Sequence, residues 1–175
     1  RITVRAINGE INLEGRDDVN RVMITAYLSV GSSSQADADL HLDDLEIRIT
    51  EDGDEIVIET IQPERSYGRG YRAEYDIIIP EGLDVAAIQD NGRISIYDLR
   101  ASVDVSSVNG DMQILNIVGD VQAKLVNGSI ETEAILTAYG VLDLETVNGR
   151  IELNIPTITS ANLSARVDNA GAVFV

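Results

Sequence analysis

An Asn-Gly dipeptide recurs along the second half of the chain at nearly constant spacing, and this repeat limits the folds that the sequence can adopt. The dipeptides are Asn91-Gly92, Asn109-Gly110, Asn127-Gly128 and Asn148-Gly149, with a degenerate copy at Asn169-Ala170-Gly171 and an early one at Asn8-Gly9. The last five asparagines are 18, 18, 21 and 21 residues apart. A fixed period of this length is typical of architectures in which similar units stack on one another.

Short segments of alternating apolar residues flank each dipeptide, which predicts half-buried β-strands. Ile94 and Ile96 follow one asparagine, and Val103 and Val105 precede the next. The preceding strand keeps its distance from the asparagine in every repeat, so the change of period arises at the other connection. One constant corner and one variable corner indicate stacked coils. We therefore predict an all-β, parallel β-helix-like solenoid with coils of 18–21 residues.

The Asn-Gly pairs are the predicted corners of these coils, and we assign them a structural role. Both corner residues are expected in the left-handed conformation, and the asparagine amides are expected to form a hydrogen-bonded ladder along the stack. An antiparallel meander is the alternative, with each Asn-Gly as a two-residue hairpin turn. The identical polarity of all repeats favours the coils, because translation along an axis requires the same inward residues in each one.

The N-terminal half is less regular, and we predict one domain with two parts. Residues 1–90 are expected to form irregular coils, a β-hairpin and a cap, and residues 91–175 the regular Asn-Gly coils. The hairpin is predicted at 47–50 and 56–58, around a turn at 51–54. Residues 31–44 are expected to be a polar excursion and residues 62–73 a loop.

Composition excludes several classes of function. A net charge of −17 repels phosphate backbones, and no apolar run is long enough to span a bilayer, so we expect neither nucleic-acid binding nor membrane insertion of this segment. Without cysteine, and with His41 as the one histidine, the chain has no thiolate or multi-histidine metal site. We predict no metal, no cofactor and no enzymatic activity. The acids considered for catalysis form no obvious pair in adjacent coils: Asp98, Asp104, Asp111, Asp120 and Asp143.

The candidate ligand-binding segment is a loop that collects arginine and tyrosine in an otherwise acidic chain. Its candidate residues are Arg65, Tyr67, Arg69, Tyr71 and Arg72. Arginine binds carboxylates in bidentate fashion and tyrosine is common at interfaces, so the loop is suited to an acidic glycan or a partner protein. The alternative is that its arginines pair with acids of the same chain.

A second polar segment is a candidate calcium site. Asp37, Asp39, His41 and Asp43 alternate along the chain and Asp44 follows them, and the four aspartates carry the carboxylate oxygens that Ca²⁺ prefers. Leu42 stands where an EF-hand loop requires glycine, and the twelfth position has no glutamate. Solvated acids are therefore the preferred interpretation.

The run at 77–85, followed by Asn91-Gly92-Arg93-Ile94 and Val108-Asn109-Gly110-Asp111, resembles the DUF4097 family of bacterial β-strand-repeat proteins, which are often labelled adhesins. The match extends to about residue 155. The resemblance implies a right-handed β-helix-like fold in exported or envelope-associated proteins, and it supplies no catalytic residues.

The combined prediction is an exported, non-enzymatic surface module of adhesin-like type. The sequence does not identify its partner, for which a cell-surface glycan or protein is the candidate. The alternatives are a carbohydrate-binding or polysaccharide-cleaving β-helix and an accessory domain of an envelope signalling protein. Because the chain starts at Arg1, we also expect that a signal peptide or an earlier domain was removed. Apolar residues near Val173 and Val175 suggest end-to-end association, although the sequence leaves the oligomeric state open.

Overall fold

The computed structural model describes residues 1–137, 139–156, 161–169 and 171–174, so Ala170 and Val175 lie outside the described residues. Within these ranges the protein is all-β, as predicted, with fourteen strands in one sheet. The strands are β1 (Ile2–Asn8), β2 (Ile11–Arg16), β3 (Met23–Gly31), β4 (Glu46–Asp52), β5 (Glu55–Ile61), β6 (Gly70–Pro80), β7 (Val85–Asn91), β8 (Ile94–Leu99), β9 (Val103–Asn109), β10 (Met112–Val118), β11 (Val121–Ile135), β12 (Val141–Asn154), β13 (Asn162–Asn169) and β14 (Val173–Phe174). One short helix, α1 (Gln35–Leu40), and a 3-10 turn (Leu42–Asp44) follow β3.

Successive repeats pair in parallel and in register. On one face the order is β7, β9, β11, β12 and β13, with Asn91 opposite Asn109 and Asn127 opposite Asn148. On the other face the order is β8, β10, β11, β12 and β14. The strands β11 and β12 belong to both faces because each continues through its Asn-Gly pair. The antiparallel meander is therefore wrong for these repeats.

The N-terminal strands extend the same stack. β1 pairs with β7, with Asn8 opposite Asn91, and β2 pairs with β8. On their other side β1 pairs with β5 and β2 with β6, again in parallel. The sheet is nevertheless mixed, because β3 is antiparallel to β6 and β4 is antiparallel to β5. The β4–β5 pair is the predicted hairpin.

The predicted loop at 62–73 is too long. β6 already begins at Gly70, because Tyr71 and Ala73 are buried and alternate with the exposed Arg72. A tyrosine and an alanine among arginines and glycines gave little apolar signal in the sequence. Two of the five candidate loop residues, Tyr71 and Arg72, consequently lie on a strand.

The interior is formed by the inward residues of every repeat. Ile94, Ile96, Ile114, Leu142 and Ile151 are fully buried. Each such side chain contributes about 1.5–3 kcal/mol when it is transferred from water. The apolar alternation that predicted the strands is thus also the alternation that fills the core.

At three of the corners the glycines have the predicted positive φ, whereas the asparagines do not. Gly92, Gly110 and Gly128 have φ between +132° and +137°, whereas Asn91 and Asn109 are the last residues of strands β7 and β9 and are not left-handed. The close stacking of successive corners restricts which residue can occupy the glycine position. A Cβ on Gly128 would lie 1.7 Å from the carbonyl oxygen of Gly110 in the adjacent repeat. Glycine is therefore required because the backbones of neighbouring corners are in direct contact.

Candidate functional site

An amide ladder runs along the corner of the stack. Nδ2 of Asn91 donates to Oδ1 of Asn8 at 2.9 Å, and the same bond links Asn109 to Asn91 and Asn127 to Asn109 at 2.8 Å. The series continues with Asn148 to Asn127 at 2.8 Å and ends with Asn169 to Asn148 at 3.0 Å. The ladder predicted from the sequence is present. Because each of these side-chain amides hydrogen-bonds to the asparagine of the neighbouring repeat, the ladder holds the repeats in register.

The tip of the Arg/Tyr loop projects from the fold. Backbone N–H of Arg69 donates to the carbonyl oxygen of Ser66, and Tyr67 and Gly68 between them have φ of 50° and 83°. Positive φ at both central positions is the pattern of a type I′ turn. Tyr67 is 78% exposed at this tip, and Arg65 is exposed beside it. A tyrosine held in a sparsely populated conformation on the surface is a candidate contact residue.

The remaining loop candidates bind acids of the same chain. Arg69 forms a bidentate ion pair with Asp37, with Nε–Oδ2 at 2.8 Å and Nη2–Oδ1 at 2.7 Å. The hydroxyl of Tyr71 donates to Oδ2 of Asp44 at 3.1 Å. The Arg69 guanidinium, with the Ser32 hydroxyl, holds the pKa of Asp37 well below its usual range. Burial and the bond to Asp44 raise the pKa of Tyr71.

These bonds hold the Asp37–Asp44 segment against Tyr71 of strand β6 and against Arg69, which directly precedes that strand. Asp37 follows Ser34, which caps α1, and its carboxylate is taken up by Arg69 and Ser32. In the described part of the chain, no three His, Cys, Asp or Glu side chains are grouped so that they could hold a metal ion. Arg72 likewise forms its ion pairs within the same chain, with Glu74 and Glu10.

A polar cleft of about 170 Å³ lies on the outer face of β8, β10, β11 and β12. Its residues point outward because they alternate with the buried positions, and parallel register places equivalent residues of successive repeats side by side. We call this surface the polar face. Its charged and polar side chains are Arg93, Asp111, Gln113, Ser129, Glu131, Arg150 and Glu152.

Hydrogen bonds between repeats fix the centre of the polar face. Oδ1 of Asp111 accepts from the Ser129 backbone N–H at 2.9 Å and from its hydroxyl at 2.6 Å. These bonds, together with the positive charges of Arg93 and Arg150, lower the pKa of Asp111. Nε2 of Gln113 donates to Oε2 of Glu131 at 2.9 Å.

Arg93, Arg150 and Glu152 remain available on this face. Among the residues that the structure describes, neither guanidinium group forms a hydrogen bond or a salt bridge, and both act on Asp111 through their charge alone. Glu152 lies opposite Glu131 in the register of β11 and β12. Neither glutamate is among the five aspartates named in the sequence analysis, for which no obvious pair was predicted, and the two lie 21 residues apart in the sequence.

The aspartates considered for catalysis mostly join one repeat to the next. Asp98 accepts a hydrogen bond from Nδ2 of Asn116, and Oδ1 of Asp120 accepts from the Val141 backbone N–H at 2.8 Å. Asp98 and Asn116 share φ values of 58° and 56°, so they occupy equivalent bends in β8 and β10. Asp104 and Asp143 both lie beside Gln122 in the register.

An apolar groove of about 300 Å³ lies on the opposite face, along β7, β9, β11 and β12. Its walls include Ile88 and the three valines that precede successive asparagines, Val108, Val126 and Val147. Lys124 is at its rim. This groove was not predicted from the sequence, although a valine directly before three successive Asn-Gly pairs was the available signal.

None of the described helices has the length and apolar character needed to cross a membrane.

Comparison with known proteins gives one distant structural likeness. No protein-family model matches the chain, and no curated protein matches it. The crystal structure of a "putative cell adhesion protein" from Clostridium sporogenes is similar over 100% of this chain and 93% of that chain, with 13% sequence identity and a TM-score of 0.46. A likeness at this level carries no argument about function. The resemblance to the DUF4097 family is neither supported nor opposed by a family model.

Proposed function

We propose that this chain is a non-enzymatic binding module of adhesin-like type, and that its polar face binds a glycan on a cell surface. The observation that supports this most directly is the pair of arginines, Arg93 and Arg150, which lie on the polar face without a direct partner. A guanidinium group donates strong hydrogen bonds to acidic groups, and a carboxylate accepts strong hydrogen bonds from hydroxyl groups. Acidic sugars or sulfated glycans supply both.

Rigidity of the scaffold supports the same proposal. The polar side chains project from paired strands, and the Asp111–Ser129 and Gln113–Glu131 bonds hold their neighbours in place. A site on rigid elements loses little conformational entropy when a ligand binds. The face therefore offers a fixed array of donors and acceptors, which suits a repeating polymer.

We further propose that the parallel region is a right-handed, β-helix-like solenoid and that the protein is exported, as the resemblance to the DUF4097 family implies. The support for the solenoid is that register partners among strands β7 to β14 are about one repeat apart, as for Asn109 and Asn127. An elongated stack with two long outer faces is a common form for surface-binding proteins.

The test is binding to immobilised glycans, measured by surface plasmon resonance. We expect Arg93→Ala together with Arg150→Ala to weaken binding tenfold or more, because hydrogen bonds to charged groups are worth about 1.5–3 kcal/mol each. The matched control is Arg5→Ala, which removes an exposed strand arginine from β1. Equal binding by the double variant and the control would overturn the proposal.

Tyr67 and Arg65 are proposed as a second contact at the tip of the loop. Replacing both by alanine should reduce retention on cells without changing the melting temperature, because both side chains are exposed. Arg69→Ala, by contrast, removes the ion pair with Asp37 and should lower stability as well. Unchanged retention of the Tyr67 and Arg65 variant would remove the tip from the contact surface.

Polysaccharide cleavage is a second candidate function, and the adjacency of Glu131 and Glu152 is the observation that favours it. Glycosidases use two carboxyl groups on either side of the scissile bond. Incubation with bound glycans and measurement of reducing ends tests this directly. New ends formed by the wild type, but not by Glu152→Gln, would replace the non-enzymatic proposal.

A further inference from the structure

The edge of strand β13 is open. On one side β13 pairs with β12, and backbone N–H of Asn162 donates to the carbonyl oxygen of Gly140 at 2.9 Å. Within the described residues, no strand pairs with its other side. Leu163 is 48% exposed, whereas its register partner Leu142 is fully buried. Among the described residues, the inward side of β13 is thus less covered than that of β12.

The opposite end of the stack is built from antiparallel strands. There β3 pairs with β6 and β4 pairs with β5, and these two form the outermost strands of the sheet. The outer edges of β5 and β6 are therefore covered, while β3 and β4 each pair with a single strand among the described residues. An unpaired edge strand is a ready template for another chain, and natural proteins usually protect it.

At the free edge of β13, every second residue directs its backbone N–H and C=O groups away from β12. In a parallel sheet, successive residues direct their N–H and C=O groups to opposite neighbours. Since Asn162 bonds toward β12, the backbone groups of Leu163, Ala165 and Val167 point toward the open edge. These same residues carry the inward side chains.

The charges on β13 are self-complementary. Arg166 and Asp168 flank Val167 on the outward side of the strand, and within one chain Nε of Arg166 lies 2.5 Å from Oδ1 of Asp168. If two copies pair in antiparallel fashion about Val167, Arg166 of each copy lies opposite Asp168 of the other. Opposite charges directly across an antiparallel pair stabilise it, and like charges destabilise it.

We propose that a second copy of this chain pairs with the open edge of β13, in antiparallel register centred on Val167. The two-fold symmetry follows from self-pairing of one strand. The sheet then continues from one copy into the other, and the less covered inward sides of the two β13 strands meet. This inference goes beyond the proposed function and gives the module two identical faces for binding.

This arrangement is one specific form of the end-to-end association that the apolar C-terminal residues suggest. Val173, in β14, is exposed at the same end, and Val175 lies outside the described residues. Two-fold pairing closes the assembly at two copies, whereas head-to-tail stacking produces open filaments. The β3 and β4 end then takes no part in the contact.

Sedimentation velocity over a range of concentrations tests the proposal with charge-swap variants. We expect a dimer for the wild type and a dissociation constant about tenfold higher for Arg166→Asp and for Asp168→Arg, because each places two like-charged pairs across the contact. The double variant Arg166→Asp with Asp168→Arg restores opposite charges and should recover the wild-type constant. Arg48→Asp on β4 is the control with the same charge change at the other end.

Three results would overturn the proposal. They are a monomeric wild type at all concentrations, a double variant as weak as the single ones, and dissociation by Arg48→Asp. Circular dichroism and melting temperatures establish that each variant is folded. Glycan binding by the monomeric Arg166→Asp variant separates this proposal from the proposed function, because the polar face is intact in each copy.

Discussion

Replacing Gly128 by alanine tests whether direct contact between the corners determines the stack. A side chain at φ +137° costs about 1–3 kcal/mol. The new Cβ would also lie 1.7 Å from the carbonyl oxygen of Gly110, so the repeats must separate by more than 1 Å to reach 3.0 Å. That movement breaks the 3.0 Å bond from Gly110 N–H to the Asn127 carbonyl and the 2.8 Å bond from Asn127 to Asn109. At about 1 kcal/mol per bond, the total loss is about 3–5 kcal/mol.

Two other glycines separate the causes of this loss. Gly53→Ala introduces a side chain at φ +60° with no atom within 4 Å, so it should cost about 1–2 kcal/mol through backbone strain alone. Gly149 is outside the left-handed region, yet its Cβ would lie 1.7 Å from the Gly128 oxygen, so Gly149→Ala reports the contact alone. The free energy of unfolding is measured by urea titration for all three variants. An equal loss for Gly128→Ala and Gly53→Ala would refute the reasoning.

Three further perturbations follow from the hydrogen bonds, the core and one ion pair. Asn127→Ala removes two ladder bonds and should cost about 1–2 kcal/mol in urea unfolding, about twice the cost of Asn169→Ala, which removes one; equal costs would contradict a continuous ladder. Leu144→Ala, at a fully buried position, should cost about 2–5 kcal/mol, and a smaller loss would indicate a loosely packed interior. The folded pKa of Asp37 is below the ordinary 3.8, so the pairing of Asp37 with Arg69 stabilises the fold above that pH. This stabilisation is lost as the pH falls below 3.8. Between pH 5 and about pH 2, the Arg69→Gln variant should therefore lose less stability than the wild type, as measured by thermal unfolding.

The two outer faces differ in chemistry although one repeat generates both. Residues after each Asn-Gly are mainly charged and form the polar face, and the residue before it is often valine and forms the apolar groove. Every second side chain along a strand points to the same side of the sheet, and the parallel register places equivalent side chains of successive repeats next to one another. A change at one position of the repeat therefore alters a whole column of the surface.

The candidate site was only partly predictable. Arg69 and Tyr71 were chosen from local composition, but their partners Asp37 and Asp44 come from a segment about 30 residues earlier, which no spacing rule relates to them. The polar face depends on which outward positions meet across repeats. Once the repeat register is known, Glu131 and Glu152 can be paired from the sequence, yet the 21-residue spacing conceals this in a comparison of 18-residue repeats.

The sequence by itself determined the strands, the corners and the amide ladder, because each depends on an apolar alternation and on an Asn-Gly pair at fixed spacing. Only the tertiary structure decided how the N-terminal half joins the stack. β5 and β6 lie on the far side of β1 and β2, and β3 and β4 add to them in antiparallel fashion. This order depends on long-range pairing between residues such as Ile2 and Ile56, whose strands offer equivalent edges to several partners. Local patterns specify that a strand forms, and the packing of the whole interior selects its neighbour.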